Sequence, residues 1–248
     1  MSHIHLPDGV ISPVWWITAW IICITLLWLF ARKLQGDELR RKTPIAGVIG
    51  ALMLIFMSLP LGFIPVHLSL AVLSGILAGP GLGLIAAFAV NTVLALMGHG
   101  GFTTIGINTL LMGGEAVLGY YLFKAASGRI GAVISAITAN IIALTLSTAL
   151  MIVIVSSAAG LTQALPIHSH DDHGQAQHGQ AHIDEGQYTE DKGSEQSIEN
   201  VQFLSLAGWS AVTLVILAGI FIESLVTGLI VRFFSRVRPD LLDSAVKG

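Results

Sequence analysis

The stretch PVWWITAWIICITLLWLFARKL, residues Pro13–Leu34, decides the fold class of this chain. No charged residue interrupts it before Arg32 and Lys33. A helix needs roughly 20 apolar residues to cross a hydrocarbon core of about 30 Å, and this run provides them. We therefore predict a transmembrane helix at Pro13–Leu34.

The rest of the chain has the same character. Of the 248 residues, 54% are hydrophobic and 11% are charged, which excludes an ordinary soluble domain. The apolar runs are continuous, unlike the alternating segments of a membrane β-barrel. We predict an all-α integral membrane protein with about seven transmembrane helices, in one polytopic domain over residues 1–248. The predicted helices are Pro13–Leu34, Ile45–Phe63, Val66–Ala78, Leu82–Met97, Ile107–Lys124, Ile130–Ala158 and Leu204–Phe234. The third is short, and Pro65 before it and Gly79-Pro80-Gly81 after it allow a broken or re-entrant segment.

The basic residues predict the orientation, because cytoplasmic flanks of membrane helices collect Lys and Arg. With the N-terminus outside and the C-terminus in the cytoplasm, all Lys and Arg residues except Lys192 face the cytoplasm. The cytoplasmic residues are Arg32, Lys33, Arg40, Arg41, Lys42, Lys124, Arg129, Arg232, Arg236, Arg238 and Lys247. No Lys or Arg precedes the first helix, which argues against a cleavable signal peptide. We expect a multi-pass protein of the cell membrane that retains residues 1–12 as an extracytoplasmic tip.

This orientation places every histidine outside. His3 and His5 lie in the tip, His67 at the start of the third predicted helix, and His99 after the fourth. The others lie in residues 159–202, a polar stretch for which we predict a mobile extracytoplasmic loop. These loop histidines are His168, His170, His173, His178 and His182, and their irregular spacing is typical of low-affinity metal capture. Histidine is the commonest metal ligand, so the shared face predicts metal handling.

The tip itself has the composition of a chelator. An N-terminal amine, a backbone amide and the adjacent imidazole form chelate rings of nitrogen donors, which suit Ni(II), Cu(II) and low-spin Co(II) and do not suit Mg(II) or Ca(II). His67 provides a further nitrogen. The glycine-rich turn Gly98–Asn108 permits close approach of another segment, and Asn108 either orients a ligating imidazole or serves as a helix cap or interhelical hydrogen-bond partner.

Other polar and small residues have structural interpretations. For Glu115 and Glu223, inside the fifth and seventh helices, we predict a neutral, hydrogen-bonded structural role, because the membrane segments offer no Lys or Arg partner. Gly75, Gly79 and Gly83 repeat at the four-residue spacing that lets helices pack closely.

The sequence resembles the CbiM/NikM family, the substrate-binding S components of cobalt and nickel energy-coupling factor (ECF) transporters. The resemblance covers nearly the whole chain, and its most specific part is His5-Leu6-Pro7-Asp8-Gly9, beside the family's His-Ile-Pro-Asp-Gly. It also includes His67, Gly106-Ile107-Asn108, Glu223 through Thr227, and Arg236-Val237-Arg238-Pro239. It implies a metal held by the N-terminal amine, the amide and imidazole of the adjacent His, and a second imidazole at His67.

The tip departs from the family pattern, because His5 is displaced from the N-terminus by four residues, Met1-Ser2-His3-Ile4. If Met1 is removed, the Ser2 amine and His3 chelate the metal, with His5 as an extra ligand and His67 retained. If Met1 stays, Met1-Ser2-His3 provides an amine, two amides and an imidazole, which makes His67 redundant. We favour the first arrangement. Asp8, His99 and Asn108 are expected to support the ligands.

The resemblance implies capture of Co(II) or Ni(II) outside and delivery inward as substrate, without an organic cofactor. It further implies a CbiQ/NikQ-like T component, two CbiO/NikO-like ATPase subunits and a small CbiN/NikN-like accessory protein, with no nucleic acid. The chain has no P-loop, so we expect a transport subunit and not an enzyme. The alternative is a metal channel or secondary carrier of the zinc/iron type with a His-rich capture loop.

Overall fold

The computed structural model describes Leu6, residues 8–9, 11–34, 36–58, 67–159 and 194–242, with the backbone alone for residues 37–38, 158–159 and 194–212. Within these ranges the chain forms helices and no strand. The helices are α1 (Pro13–Lys33), α2 (Gly36–Ser58), α3 (Ala71–Ala78), α4 (Pro80–Leu96), α5 (Ile105–Ile130), α6 (Ala132–Ala159) and α7 (Ser194–Val237).

The helices have the length and surface of membrane segments. In the described residues, four stretches are long and apolar enough to cross a bilayer: Pro13–Lys33, Leu39–Ser58, Ala132–Ser157 and Thr213–Val237. Large apolar side chains such as Val14, Leu146 and Leu217 are exposed on α1, α6 and α7. Water disfavours so many exposed apolar side chains, whereas the hydrocarbon core of a lipid bilayer accommodates them. The prediction of an all-α, multi-pass membrane protein is confirmed.

Helix α3 lies at the centre of the bundle. All of its residues are buried, and it contacts α2, α4, α5, α6 and α7. Close packing there depends on glycine. A Cβ added to Gly75 would lie 2.0 Å from the carbonyl oxygen of Ala116 on α5, and one added to Gly83 on α4 would lie 3.1 Å from the Cβ of Ala116. The predicted close helix packing at Gly75 and Gly83 is therefore confirmed.

Several helix bounds differ from the predicted ones. Helix α2 begins at Gly36 instead of Ile45, and α7 begins at Ser194 instead of Leu204, so residues 194–202 of the predicted loop are helical. The prediction used hydropathy, which detects only the part of a helix that lies in lipid. Glu, Lys and Arg are good helix formers, and a helix that leaves the membrane continues through them.

The third segment is shorter than predicted, and the expectation of a helix over Val66–Ala78 is wrong. Helix α3 begins only at Ala71, and residues 67–70 have no regular secondary structure. Leu70 is left-handed, with φ 52° and ψ 19°, and Gly79 with φ 91° joins α3 to α4. A helix of 8 residues is about 12 Å long and cannot cross a bilayer alone. The prediction of a broken segment is confirmed, and His67 precedes the helix instead of heading it.

Candidate metal site

Leu6, near the N-terminus, is docked against the turn that leads into α5. The main-chain N–H of Leu6 donates to Oδ1 of Asn108 at 3.2 Å. The carbonyl of Leu6 accepts from the N–H of Gly101 at 3.2 Å, from Nδ2 of Asn108 at 3.4 Å and from the hydroxyl of Thr104. The side chain of Leu6 is buried beside Ile107. The residue that follows His5 is therefore fixed at the start of α5.

Asp8 provides a second attachment to the same turn. Its carboxylate accepts hydrogen bonds from the hydroxyl of Thr103, from the N–H of Thr103 at 2.9 Å and from the N–H of Phe102 at 3.0 Å. The hydroxyl and N–H of Thr103, with the N–H of Phe102, hold the pKa of Asp8 below its ordinary value. Asp8 thus binds the turn as a carboxylate.

The turn is shaped to receive this carboxylate. A Cβ added to Gly101 would lie 2.2 Å from Oδ1 of Asp8, so only glycine leaves room. Trp20 of α1 also binds the turn: its indole N–H donates to the carbonyl of Thr103 at 2.9 Å. Gly106 allows the approach, since a Cβ there would lie 3.0 Å from Cα of Trp20. The predicted close approach of another segment to the glycine-rich turn is confirmed.

His67 and His99 lie on this side of the bundle. His67 is half-buried, and burial together with the nearby charge of His99 lowers the pKa of its imidazole. His99 is exposed and belongs to the turn between α4 and α5, where its N–H donates to the carbonyl of Leu94 at 2.8 Å.

The structure brings together some of the predicted site residues. His67 and His99 interact, and Asp8 and Asn108 hold the N-terminal segment to the turn that contains His99. Asn108 was expected to orient an imidazole or to act as a cap or interhelical partner; its hydrogen bonds go instead to the main chain of Leu6 and, at 3.5 Å, to Thr104. The remaining predicted site residues lie outside the described ranges: Met1, Ser2, His3, His5, His168, His170, His173, His178 and His182.

By themselves, His67 and His99 do not make a metal site. Across the described ranges, no three His, Cys, Asp or Glu side chains lie close enough together to hold a metal ion. The predicted site takes its other donors from residues 1–5, which directly precede Leu6 in the sequence. The position of Leu6 is compatible with the predicted site.

Sequence reasoning missed the hydroxyl groups of this site. Thr103 and Thr104 lie in the glycine-rich turn immediately before α5, which is the usual position of an N-cap. Thr104 is the N-cap residue, yet it makes no side-chain cap bond and donates to the carbonyl of Leu6. A hydroxyl that bonds the backbone of a distant segment leaves no sequence signature, so neither threonine was a candidate.

A second polar cluster connects the residues before α3 with α5 and α7. The hydroxyl of Ser69 donates to Glu223 at 2.6 Å and to Glu115 at 3.5 Å, and both carboxyl groups are buried. At the residue after Glu223, Nδ2 of Asn140 on α6 donates to the hydroxyl of Ser224 at 3.0 Å. The prediction that Glu115 and Glu223 are hydrogen-bonded within the protein is confirmed.

Comparisons with known proteins agree with these observations. The model of the CbiM family, described as the cobalt uptake substrate-specific transmembrane region, matches residues 5–241. A protein of Haloquadratum walsbyi is 35% identical over 129 residues, which are 48% of this chain and 57% of that protein. The cobalt transport protein CbiM of Salmonella typhimurium is 29% identical over 133 residues, 49% of this chain and 53% of that protein. The chain thus spans little more than half the length of these relatives.

Two solved structures share the fold. A crystal structure described as a transition metal transporter has a TM-score of 0.66 and 18% identity, and the match covers 98% of this chain and 99% of that one. A truncated transition metal transporter has a TM-score of 0.64 and 18% identity, with 94% and 99% covered. The match of the family model extends over nearly the entire chain, including the docked N-terminal segment and both buried glutamates. The chain therefore belongs to the CbiM family.

Proposed function

We propose that this protein binds Co(II) or Ni(II) at the extracytoplasmic surface and delivers the metal inward as the substrate-specific subunit of an ATP-driven ECF-type uptake transporter. The observation that carries the proposal is the docking of Leu6 and Asp8 on the turn before α5. This turn contains His99, which interacts with His67. Docking therefore supports a site in which donors from residues 1–5 meet His67.

The donor set supports the choice of metal. The N-terminal amine, a backbone amide and imidazoles are nitrogen donors, which first-row metals late in the series prefer. Mg(II) and Ca(II) prefer carboxylate donors. The carboxylate of Asp8 does not serve as a ligand, because it binds backbone and hydroxyl groups of the turn. In the preferred arrangement the Ser2 amine and His3 chelate the metal, and His5 and His67 complete the site.

Transport by this chain requires other subunits under this proposal. The sequence contains no P-loop, so ATP hydrolysis belongs to CbiO/NikO-like partners, which act through a CbiQ/NikQ-like membrane component. A small CbiN/NikN-like protein is a further expected partner. The cell membrane is the expected location. The His-rich residues between α6 and α7 would concentrate metal near the tip.

A binding experiment on the purified full chain tests the site. We expect His67→Ala to weaken Ni(II) or Co(II) binding by more than about 100-fold, since residues that merely support ligands typically contribute 10–100-fold. Replacing the five loop histidines by alanine is the matched control and should leave the tight site intact. Intact mass of the metal-loaded protein reports whether Met1 is removed and which metal is bound. Unchanged affinity in His67→Ala would refute the shared site.

A further inference from the structure

Glu223 of α7 makes an unusual set of contacts with the non-helical residues before α3. Its Oε2 accepts the main-chain N–H of Ser69 at 3.2 Å. Its Oε1 accepts the N–H of Leu70 at 3.0 Å and the hydroxyl of Ser69 at 2.6 Å. All three residues are buried. One carboxyl group therefore binds two consecutive backbone N–H groups that lie outside any helix.

The backbone at this point needs such support. A non-helical peptide group inside a membrane protein finds no water, so its N–H must be satisfied by the protein. Leu70 is also the one non-glycine residue with positive φ in the described ranges, at 52°. A left-handed leucine costs free energy and persists only where the surroundings impose it. The bonds from Ser69 and Leu70 to Glu223 contribute to holding this conformation, together with the burial of the Leu70 side chain.

The fixed segment begins only two residues after His67. Leu68, between them, is buried with 2% of its surface exposed, so the chain has little freedom from His67 to Leu70. We propose that Glu223 is the positioning residue for the His67 imidazole. This inference rests on the proposed function, because it assigns Glu223 to the metal site through His67. It also makes α7 part of the site, although the metal would not touch this helix.

Glu115 provides a matched control for Glu223. It is a buried carboxyl in the same cluster, but its hydrogen bond to this segment goes to the hydroxyl of Ser69 at 3.5 Å, not to a main-chain N–H. If Glu223 acts through the backbone of residues 69–70, Glu223→Gln should disturb His67 and Glu115→Gln should not. Glutamine replaces one acceptor oxygen by an N–H₂ group that faces another donor.

The first measurement needs no metal. Hydrogen exchange of the metal-free full chain in detergent should show faster exchange of the Ser69 and Leu70 amides in Glu223→Gln, by about tenfold or more, with other helices unchanged. Glu115→Gln should exchange as the wild type does. Unchanged exchange in Glu223→Gln would overturn the proposal. If Glu223→Gln does not fold, Glu223→Asp takes its place, because it keeps both oxygens on a shorter side chain; wild-type exchange in that variant would have the same meaning.

The second measurement is Ni(II) binding, with the visible absorption of the bound metal as the record of its geometry. We expect Glu223→Gln to weaken binding by about 10–100-fold and to change the absorption spectrum, with Glu115→Gln near the wild type. A general loss of stability would lower the affinity without a change in the absorption spectrum of the bound metal.

The outcomes separate the two proposals. If the wild type binds tightly and His67→Ala binds weakly, but Glu223→Gln binds like the wild type, Glu223 does not position His67. Equal losses in Glu115→Gln and Glu223→Gln would also overturn the inference. If His67→Ala binds like the wild type, the shared metal site fails, whereas the exchange of residues 69–70 still shows whether Glu223 holds this segment.

Discussion

At the scale of single residues, Asp8 attaches the N-terminal segment to the protein, and the amide variant tests how much the metal site depends on that attachment. Asp8→Asn places an N–H₂ group against the donors of Phe102 and Thr103, so the segment should detach more readily. We expect metal affinity to fall by roughly tenfold. Asp240→Asn is the control, because Asp240 is also a hydrogen-bonded surface carboxylate, paired with Arg238, and should leave affinity unchanged. Titration of both variants with Ni(II) measures their affinities. Equal affinities in wild type and Asp8→Asn would contradict the prediction.

The pH dependence separates Asp8 from the imidazoles. The pKa of Asp8 is lowered in the folded protein by the hydroxyl and N–H of Thr103 and the N–H of Phe102. Its contribution to docking is therefore present above the ordinary carboxyl pKa of about 4 and is lost only as pH falls through the lower folded value. The ordinary pKa of an imidazole is about 6.5, and a ligating imidazole must be unprotonated, so metal binding should weaken below about pH 6 with the same midpoint in wild type and Asp8→Asn. A flat profile between about pH 7 and 5 would count against imidazole ligation.

At the scale of helices, the central position of α3 depends on the absence of a side chain at Gly75. In Gly75→Ala the new Cβ would lie 2.0 Å from the carbonyl oxygen of Ala116, so α3 and α5 must separate. Overpacking of this kind typically costs about 1–3 kcal/mol, which should lower the thermal unfolding temperature in detergent. Gly114→Ala on α5 is the control, because nothing lies within 4 Å of its Cβ position. A Gly75→Ala protein as stable as Gly114→Ala would show that the helices adjust without cost.

The helices also show which features of the fold can be predicted from the sequence. Long apolar runs predicted the existence and order of α1 to α7, since burial in lipid is a property of each run by itself. The break before α3 was expected from Pro65, but its position was not, because the acceptor for Ser69 and Leu70 is Glu223 on another helix. Asn108 likewise binds the main chain of Leu6, and main-chain partners have no residue type to recognise. Sequence thus indicated which residues are polar and buried, and the fold alone identified their partners.

At the scale of the whole molecule, the orientation in the membrane determines whether the docked tip faces the metal source. The turns at the two ends of α5 differ in charge. The turn from Met97 to Thr104 contains no Lys or Arg, whereas Lys124 and Arg129 lie near the end that leads into α6. The positive-inside rule then places the first turn, with Asp8 and His99, outside and the second inside. The opposite orientation would present the tip to the cytoplasm, which is incompatible with uptake.

Cysteine labelling on intact cells tests this orientation. Cys23 is buried in α1 and is replaced by alanine, after which Met97→Cys and Gly128→Cys are made separately. Met97 is exposed, and nothing lies within 4 Å of the Cβ position of Gly128, so neither change should disturb the fold. A membrane-impermeant maleimide should label Met97→Cys on intact cells and Gly128→Cys only after permeabilisation. The Cys23→Ala protein without a new cysteine is the control for background. Labelling in the reverse order would place Leu6 and Asp8 on the cytoplasmic side and contradict the proposed capture of metal from outside.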